Sequence, residues 1–425
     1  MEKENQKPMI KGIIITVLSL LLLIAIPFIT GIVSERESFQ REVKNEVTSK
    51  WGNEQTIYGP FIYVEYKKTY VQKDNTIVER TVPSLTSPQS QNITGKVETQ
   101  IKKRSLYEVT LYNTNLNVDA SFISLDKIAE KLKLDSKDQF TTAKIVFAIS
   151  DSRGFTEQIN INGNPSNFFE QDNEISTKSS LNLLSFDIKE STIDLSKISF
   201  PLHLKGSTEL KFLATAKENK VKLNTTYQDI KYIGSYLPDS ESEKMTLSNP
   251  TWTIFQSFPF EANINNLESL ETFEFGLKFL QMNDFYSKVN RATKYALLFI
   301  GLTFATFFFM ENLKNLQINI LHYALVGLAL CINFVLLLSF AEYVGFSYAY
   351  LISATATITL ITSFLYGLSK NKRIALTIMG LLSLLYTFLF FLLQLKEAAL
   401  IVGSIGLFAI LAILMYFSKR ITFSK

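Results

Sequence analysis

The sequence predicts a multi-pass α-helical membrane protein of six transmembrane helices, with a large antiparallel β-rich, sandwich-like extracytoplasmic domain between helices 1 and 2. Three observations carry that reading. Apolar residues crowd into one block at 13–33 and a near-continuous tract over 295–417, as hydrocarbon-spanning helices require. The stretch between them alternates short apolar runs with turn residues. Charge divides in the same way: residues 34–291 hold 31 Lys and Arg against 34 Asp and Glu, and the rest of the chain holds 12 against 5. The basic balance belongs to the membrane part. The large polar region is slightly acidic and has no basic stripe, which excludes a nucleic-acid partner.

The first block, 13–33, is free of charge and follows Lys3, Lys7 and Lys11. It is too long for a signal-peptide core and no small-residue cleavage site follows, so it reads as a retained signal anchor in which Pro27 is placed to kink the helix. Five further spans follow at 295–310, 318–340, 346–368, 374–393 and 398–417. All but 295–310 reach the length that a hydrocarbon core of about 30 Å demands. In that short span Lys294 can extend the helix by snorkelling, with Tyr295 at headgroup level.

Six spans put both termini on one side. With that side cytoplasmic, the short inner segments hold ten cations (Lys3, Lys7, Lys11, Lys314, Lys370, Lys372, Arg373, Lys419, Arg420 and Lys425) and the short outer loops one, Lys396. Counting the flanks of the large domain raises the outer total to seven, but long loops translocate largely regardless of charge. The resulting organisation is a cytoplasmic N-terminus (1–12), the anchor helix (13–33), an extracytoplasmic β-rich domain (34–291), a five-helix membrane domain (292–417) and a cytoplasmic C-terminus (418–425). Arg291 and Lys294 then face outward at the base of the domain, as helix-end anchors or as partners of an anionic headgroup.

Within 34–291, the runs 61–66, 107–111, 145–149, 210–214 and 221–225 are rich in β-branched and aromatic residues and read as strands. Gly59-Pro60, Asn162-Gly163, Lys205-Gly206-Ser207 and Glu218-Asn219 read as turns between them. One helix is expected over 125–134, with Ser124 as N-cap and Leu125, Ile128, Ala129 and Leu132 on one face. The Pro, Ser, Thr and Gln of 82–95 read as a loop.

Chemistry is sparse. The single cysteine, Cys331, lies in a hydrophobic run, and the two histidines, His203 and His322, make a histidine metal cluster improbable. No nucleophile elbow or phosphate-cradling glycine motif is present, and no cofactor is indicated. A carboxylate pair acting on a glycan is conceivable, yet no spacing selects one. Asp151-Ser-Arg-Gly154 reads either as an Arg–carboxylate clamp or as a turn in which Asp151 caps the backbone and Gly154 takes a positive φ. In the membrane tract Glu311 and Glu342 close their spans, Lys396-Glu397 lies in a loop, and helix centres keep only polar neutral residues such as Asn333 and Thr357, which read as interhelical hydrogen-bond partners. His322 lies about one turn inside its span and reads as an interfacial or packed histidine, with a sensing or relay role as the alternative.

Arg291-Ala-Thr-Lys-Tyr-Ala296, Met310-Glu311, His322-Tyr323, Val326-Gly-Leu-Ala329 and Leu336-Leu-Leu-Ser-Phe-Ala-Glu342, followed by Gly345-Phe346, resemble the CreD family of bacterial inner-membrane proteins, associated with cell-envelope integrity and colicin tolerance. Upstream, Glu35-Arg36, Gly59-Pro60, Arg104-Ser-Leu-Tyr107, Asp151-Ser-Arg-Gly154 and Gly234-Ser-Tyr-Leu-Pro238 follow in that family's order. The likeness fades over the last two spans. It implies a multi-pass inner-membrane location with a periplasmic domain and a link to envelope stress and two-component regulation, and it carries over no catalytic residue. Arg291, Thr293, Lys294, Tyr295, Glu311, His322, Glu342, Asp151, Arg153 and Gly154 are its motif positions, without an assigned role. The function expected is non-enzymatic: an outer domain that binds or braces an envelope glycan, lipid or protein, held by helices in the lipid bilayer. A transporter or flippase of an envelope amphiphile, or an envelope-modifying enzyme, are the alternatives.

Overall fold

The computed structural model describes residues 7–71, 77–164, 166–173, 175, 182–239, 249–255, 272–280, 285–314, 318–395 and 399–418. It contains two compact units, one of residues 1–41 with 283–425 and one of residues 42–282.

The first unit is helical. Helix α1 (Lys7–Leu22) gives way at Leu23 and Ile24 to α2 (Ala25–Trp51). Pro27 explains the break: it has no N–H to give the Leu23 carbonyl, and it sits in the first turn of the new helix, where no donor is needed. Helix α2 runs well past residue 33, the expected end of the anchor, and its last ten residues belong to the second unit.

The expected span at 295–310 is also different in form. Residues Phe285–Lys294 make a separate helix (numbered α4 in chain order), which breaks at Tyr295 and bends by 48° into α5 (Ala296–Lys314). The break follows the composition: Phe285, Tyr286, Val289, Ala292 and Thr293 line one buried face of α4, whereas α5 is apolar all round. Helices α6 (Ile320–Val344), α7 (Phe346–Ser369), α8 (Lys372–Gln394) and α9 (Ala399–Ser418) match the remaining expected spans. Among the described residues, four helical stretches are long and apolar enough to cross a membrane, or five with the bent pair taken as one. Helix α1 packs closely on α6 at Gly327, where an added Cβ would lie 2.1 Å from a Leu22 methyl.

The second unit is β-rich. The eight-stranded sheet has the order β11-β13-β9-β1-β5-β7-β6, with β2 also paired to β1; the five-stranded sheet has the order β12-β10-β3-β4-β8. The strands are β1 (Gln55–Val71), β2 (Ile77–Thr86), β3 (Ser90–Arg104), β4 (Tyr107–Ser121), β5 (Phe140–Ile149), β6 (Glu170–Gln171), β7 (Asn182–Asp187), β8 (Ile198–Ser207), β9 (Glu209–Leu213), β10 (Glu218–Thr225), β11 (Ile230–Gly234), β12 (Thr251–Phe255) and β13 (Glu274–Phe279). All five expected strands are present. The sheets are mixed rather than purely antiparallel, because β9 joins β1 and β10 joins β3 in parallel.

One apolar core contains residues from both sheets, including Ile62, Val64, Ile93, Val118, Phe147, Phe200, Leu223 and Trp252. A smaller core around Tyr58, Phe61, Tyr63 and Val146 covers the other face of the larger sheet. The first ten residues of β1 are therefore buried whichever way they point, while β10 alternates exposed Glu218, Lys220 and Lys222 with buried Asn219, Val221, Leu223 and Thr225. Helix α3 (Leu125–Lys131) starts at Ser124, whose hydroxyl accepts the Lys127 N–H, and buries Ile128 and Ala129.

Several expectations fail here. Lys205-Gly206-Ser207 lies within β8 and Glu218-Asn219 opens β10, so neither is a turn. Residues 82–95 are mostly strand, with only Ser87–Gln89 between β2 and β3. Pro83 and the run of polar residues hide this, but β2 pairs only with β1, so a proline is tolerated on its free edge. Gly59-Pro60 is no turn either; its peptide bond is cis and it forms an irregularity inside β1, between the pairs Tyr58/Ala148 and Phe61/Val146. Asn162-Gly163 does turn, with φ of 53° and 67°.

Trp252 is fully buried against Tyr232 and Phe275. Trp252→Ala should destabilise the β-rich unit by about 3–5 kcal/mol, read as a lower unfolding midpoint of the full chain in detergent. An unchanged midpoint would mean that the joint core is not limiting.

Candidate functional site

The membrane unit gathers charged side chains near the two ends of α6. Near the α6 N-terminus, Glu311 from α5 is only 8% exposed. It accepts hydrogen bonds from Lys11 Nζ of α1, from the Tyr323 hydroxyl at 2.9 Å and from the Ile318 N–H at 3.2 Å. Lys11 also donates to the Ile318 carbonyl. A buried carboxylate is tolerated only when paired and hydrogen-bonded, and this one has a cation and two neutral donors. His322 takes no part. It sits in the first turn of α6, where its Nδ1 accepts the Asn319 N–H at 3.3 Å and its ring meets Phe364 edge-on.

At the C-terminal end of α6, Glu342 accepts the Tyr286 hydroxyl of α4 at 2.9 Å and lies 3.6 Å from the Arg36 guanidinium of α2. Beside it, Arg291 forks onto the Leu393 and Leu395 carbonyls, and Lys288 reaches Gln394 Oε1 at 3.0 Å. Arg291 thus satisfies carbonyls left over at the end of α8, where the helix dipole favours a cation. The same stretch of α4 holds Thr293, buried and bonded back to the Asn290 carbonyl, and Lys294, which is exposed. Tyr295 lies at the break and lines a void of about 10 Å³ with Asn333, Tyr350 and Tyr386. Lys396 and Glu397 lie outside the described residues.

Tyr323 and Glu342 are 19 residues apart on α6, which is about 28 Å along the axis. That is close to the thickness of a hydrocarbon core. The motif positions therefore do not converge on one site; they form two clusters spaced like the two faces of a bilayer. Between them the core holds a neutral pair, Thr357 Oγ1 donating to Asn333 Oδ1 at 3.1 Å, as interhelical partners do. Lys11, Arg36, Tyr286 and Tyr323 complete the clusters, although sequence spacing gives no hint of these long-range pairings.

In the β-rich unit, Asp151, Arg153 and Gly154 do come together, and the clamp and turn readings both hold in part. Asp151 caps the short turn Ser152–Gly154 by accepting the Arg153 N–H at 3.1 Å. Its carboxylate also takes two bonds from the Arg153 guanidinium, at 2.9 Å each, and the Asn53 N–H at 2.9 Å. Arg153 extends a third nitrogen to the Ser49 carbonyl in the last turn of α2. The clamp thus fixes the chain where α2 ends and β1 begins. Gly154 does not adopt the expected positive φ. It is needed for closeness, since an added Cβ would lie 2.3 Å from Gln55 Nε2 and 2.7 Å from the Lys205 carbonyl. Burial alone would raise the Asp151 carboxyl, but the bonds from Arg153 and the backbone outweigh it and hold it below the usual carboxylate range. No cluster of three or more His, Cys, Asp or Glu able to hold a metal exists among the described residues.

A set of apolar helices with charged clusters at its ends, carrying a large β-rich unit between its first and second apolar helical segments, defines a multi-helix integral membrane protein. The family model described as "Inner membrane protein CreD" matches residues 7–424, and the chain belongs to the CreD family. It is 25% identical over 421 residues to the inner membrane protein CreD of Escherichia coli (strain K12), covering 95% of this chain and 90% of that protein.

Three variants probe these contacts. Arg291→Ala removes charge-assisted bonds to carbonyls that then stay unpaired, and should cost about 1.5–3 kcal/mol. Arg291→Lys should not restore this, because an ammonium cannot fork; both are read by detergent-solubilised thermal unfolding. The Asp151 carboxyl titrates lower in the folded chain than its unfolded value of about 3.9. Its contribution is therefore complete above that value and is lost as pH falls through the folded value. Asp151→Asn should lower stability at neutral pH and flatten the acid limb of a stability–pH curve. An acid limb identical to the parent's would show that the clamp adds nothing.

Proposed function

We propose that this CreD-family protein crosses the inner membrane six times with both termini in the cytoplasm, and that residues 34–291 form a periplasmic unit that binds or braces an envelope component. In this reading residues 13–33 and 292–417 are the membrane parts, and residues 1–12 and 418–425 lie inside. The role is non-enzymatic support of envelope integrity under stress, including tolerance of colicins. The observation that carries it is the charge of the short segments, ten cations on one side against one on the other.

The two charged clusters support anchoring over transport. Pumps and transporters place ionisable groups within the spans, and among the described residues those of this chain stand at the ends. Arg291, Lys294 and Tyr295 act here as outer-face anchors, and Glu311 with Lys11 as the inner counterpart.

A single cysteine tests the location. In a Cys331→Ser background, Glu98→Cys places a thiol at an exposed position of β3. A membrane-impermeant maleimide should label it in cells whose outer membrane alone is opened. Protection until the inner membrane is broken would invert the topology and remove the basis for an envelope partner.

A further inference from the structure

We propose that a cleft at one end of the five-stranded sheet is a saccharide-binding site; this deepens the reading of residues 34–291 as an envelope-binding unit and rests on it. The cleft has a volume of about 920 Å³, within the range of small-ligand sites, about 300–1,000 Å³. Nine of its fourteen lining residues carry polar side chains, four serines, three asparagines, one carboxylate and one ammonium, and these stand beside Ala120, Ile198, Phe200 and Pro201.

The strand register builds it. Asn92 of β3 stands opposite Asp119 of β4, which stands opposite Ser199 of β8. Directly paired residues share a face of the sheet, so these three side chains form one row. Asp119 Oδ1 accepts Ser199 Oγ at 2.6 Å and Asn117 Nδ2 at 3.0 Å. Those bonds fix the carboxylate, yet its second oxygen, Oδ2, accepts nothing among the described residues. The side-chain amide of Asn92 likewise has no hydrogen bond among them. One wall is equally fixed: Asn162, at φ 53°, accepts the Ser199 N–H at 2.8 Å and donates to the Lys197 carbonyl at 3.0 Å, binding its turn to the start of β8.

The available groups are thus a rigid carboxylate oxygen that needs a donor and an amide that offers both a donor and an acceptor. An apolar ligand would leave them desolvated and unpaired. A phosphate or other anion would meet the fixed charge of Asp119. A chain of sugar rings supplies hydroxyls that both donate and accept, at the close spacing the row presents. The ligand class is therefore a neutral, polyhydroxylated glycan.

The test is calorimetric titration of the full-length chain in detergent with chitotriose, maltotriose and cellotriose. At least one should bind, and both Asp119→Ala and Asn92→Ala should weaken it about tenfold or more, the scale of a lost charge-assisted bond. Asn92→Ala breaks no hydrogen bond within the described fold, so its unfolding midpoint should match the parent's even if Asp119→Ala proves unstable. No binding by any of the three sugars, or binding unaltered by Asn92→Ala, would overturn the proposal. Labelling of Glu98→Cys separates the two readings. Cleft-dependent sugar binding by a chain whose thiol is protected keeps the site and removes the periplasmic location. An exposed thiol without sugar binding does the reverse.

Discussion

Hydrocarbon leaves no polar group a partner outside the protein, and the helical unit is arranged around that constraint. Among the described residues, its two buried carboxylates are each met by a cation from the N-terminal helices and by a tyrosine hydroxyl: Glu311 by Lys11 and Tyr323, Glu342 by Arg36 and Tyr286. The repeated scheme has a physical reason. A carboxylate inside a helical bundle needs more than one donor to offset desolvation, and tyrosine supplies a hydroxyl on an otherwise apolar ring. Because Lys11 and Arg36 lie on α1 and α2, the N-terminal segment is tied to the later helices by charge at two separated levels and by the close approach at Gly327 between them.

The β-rich unit solves a different problem. The first ten residues of its long first strand are buried on both faces, so they cannot carry the polar/apolar alternation that usually marks a sheet exposed on one side. Two parallel pairings, β1 with β9 and β3 with β10, bring segments far apart in sequence into the sheets. Such pairings form slowly, since long loops must close before any contact rewards them. The Asp151–Arg153 turn acts at the entry to that strand, joining Ser49, Asn53 and Gln55 where β1 begins.

The parts legible in sequence are those governed by local pattern. Spans at 318–340, 346–368 and 374–393 follow from uninterrupted apolar runs, and Ser124 announces α3 because a cap is decided within four residues. The loop expected over 82–95 shows the limit: Ser, Thr and Gln suit a turn, but they also suit outward and edge positions of a strand, and only the presence of β1 alongside decides between them. Gly154 is a second case. Its neighbours in sequence suggest a positive φ, whereas its real constraint is the Lys205 carbonyl and the Gln55 amide, which sequence proximity does not reveal.

The motif positions were legible as positions and not as roles, and the reason is the distance over which their partners are drawn. Arg291 pairs across about a hundred residues, Glu311 with Lys11 across three hundred, and neither spacing has a local signature. What the sequence does record is where such groups are absent. Charges stop at the ends of 318–340 and 374–393, so any charged cluster must form at the margins, and the structure places both there. A site that binds from outside the membrane must then be sought in the part of the chain where polar groups can stay unpaired at little cost. Asp119 and Asn92 meet that condition: they keep free polar atoms on the water-facing side of a sheet, which Glu311, with both oxygens bonded by Lys11, Tyr323 and the Ile318 N–H, does not.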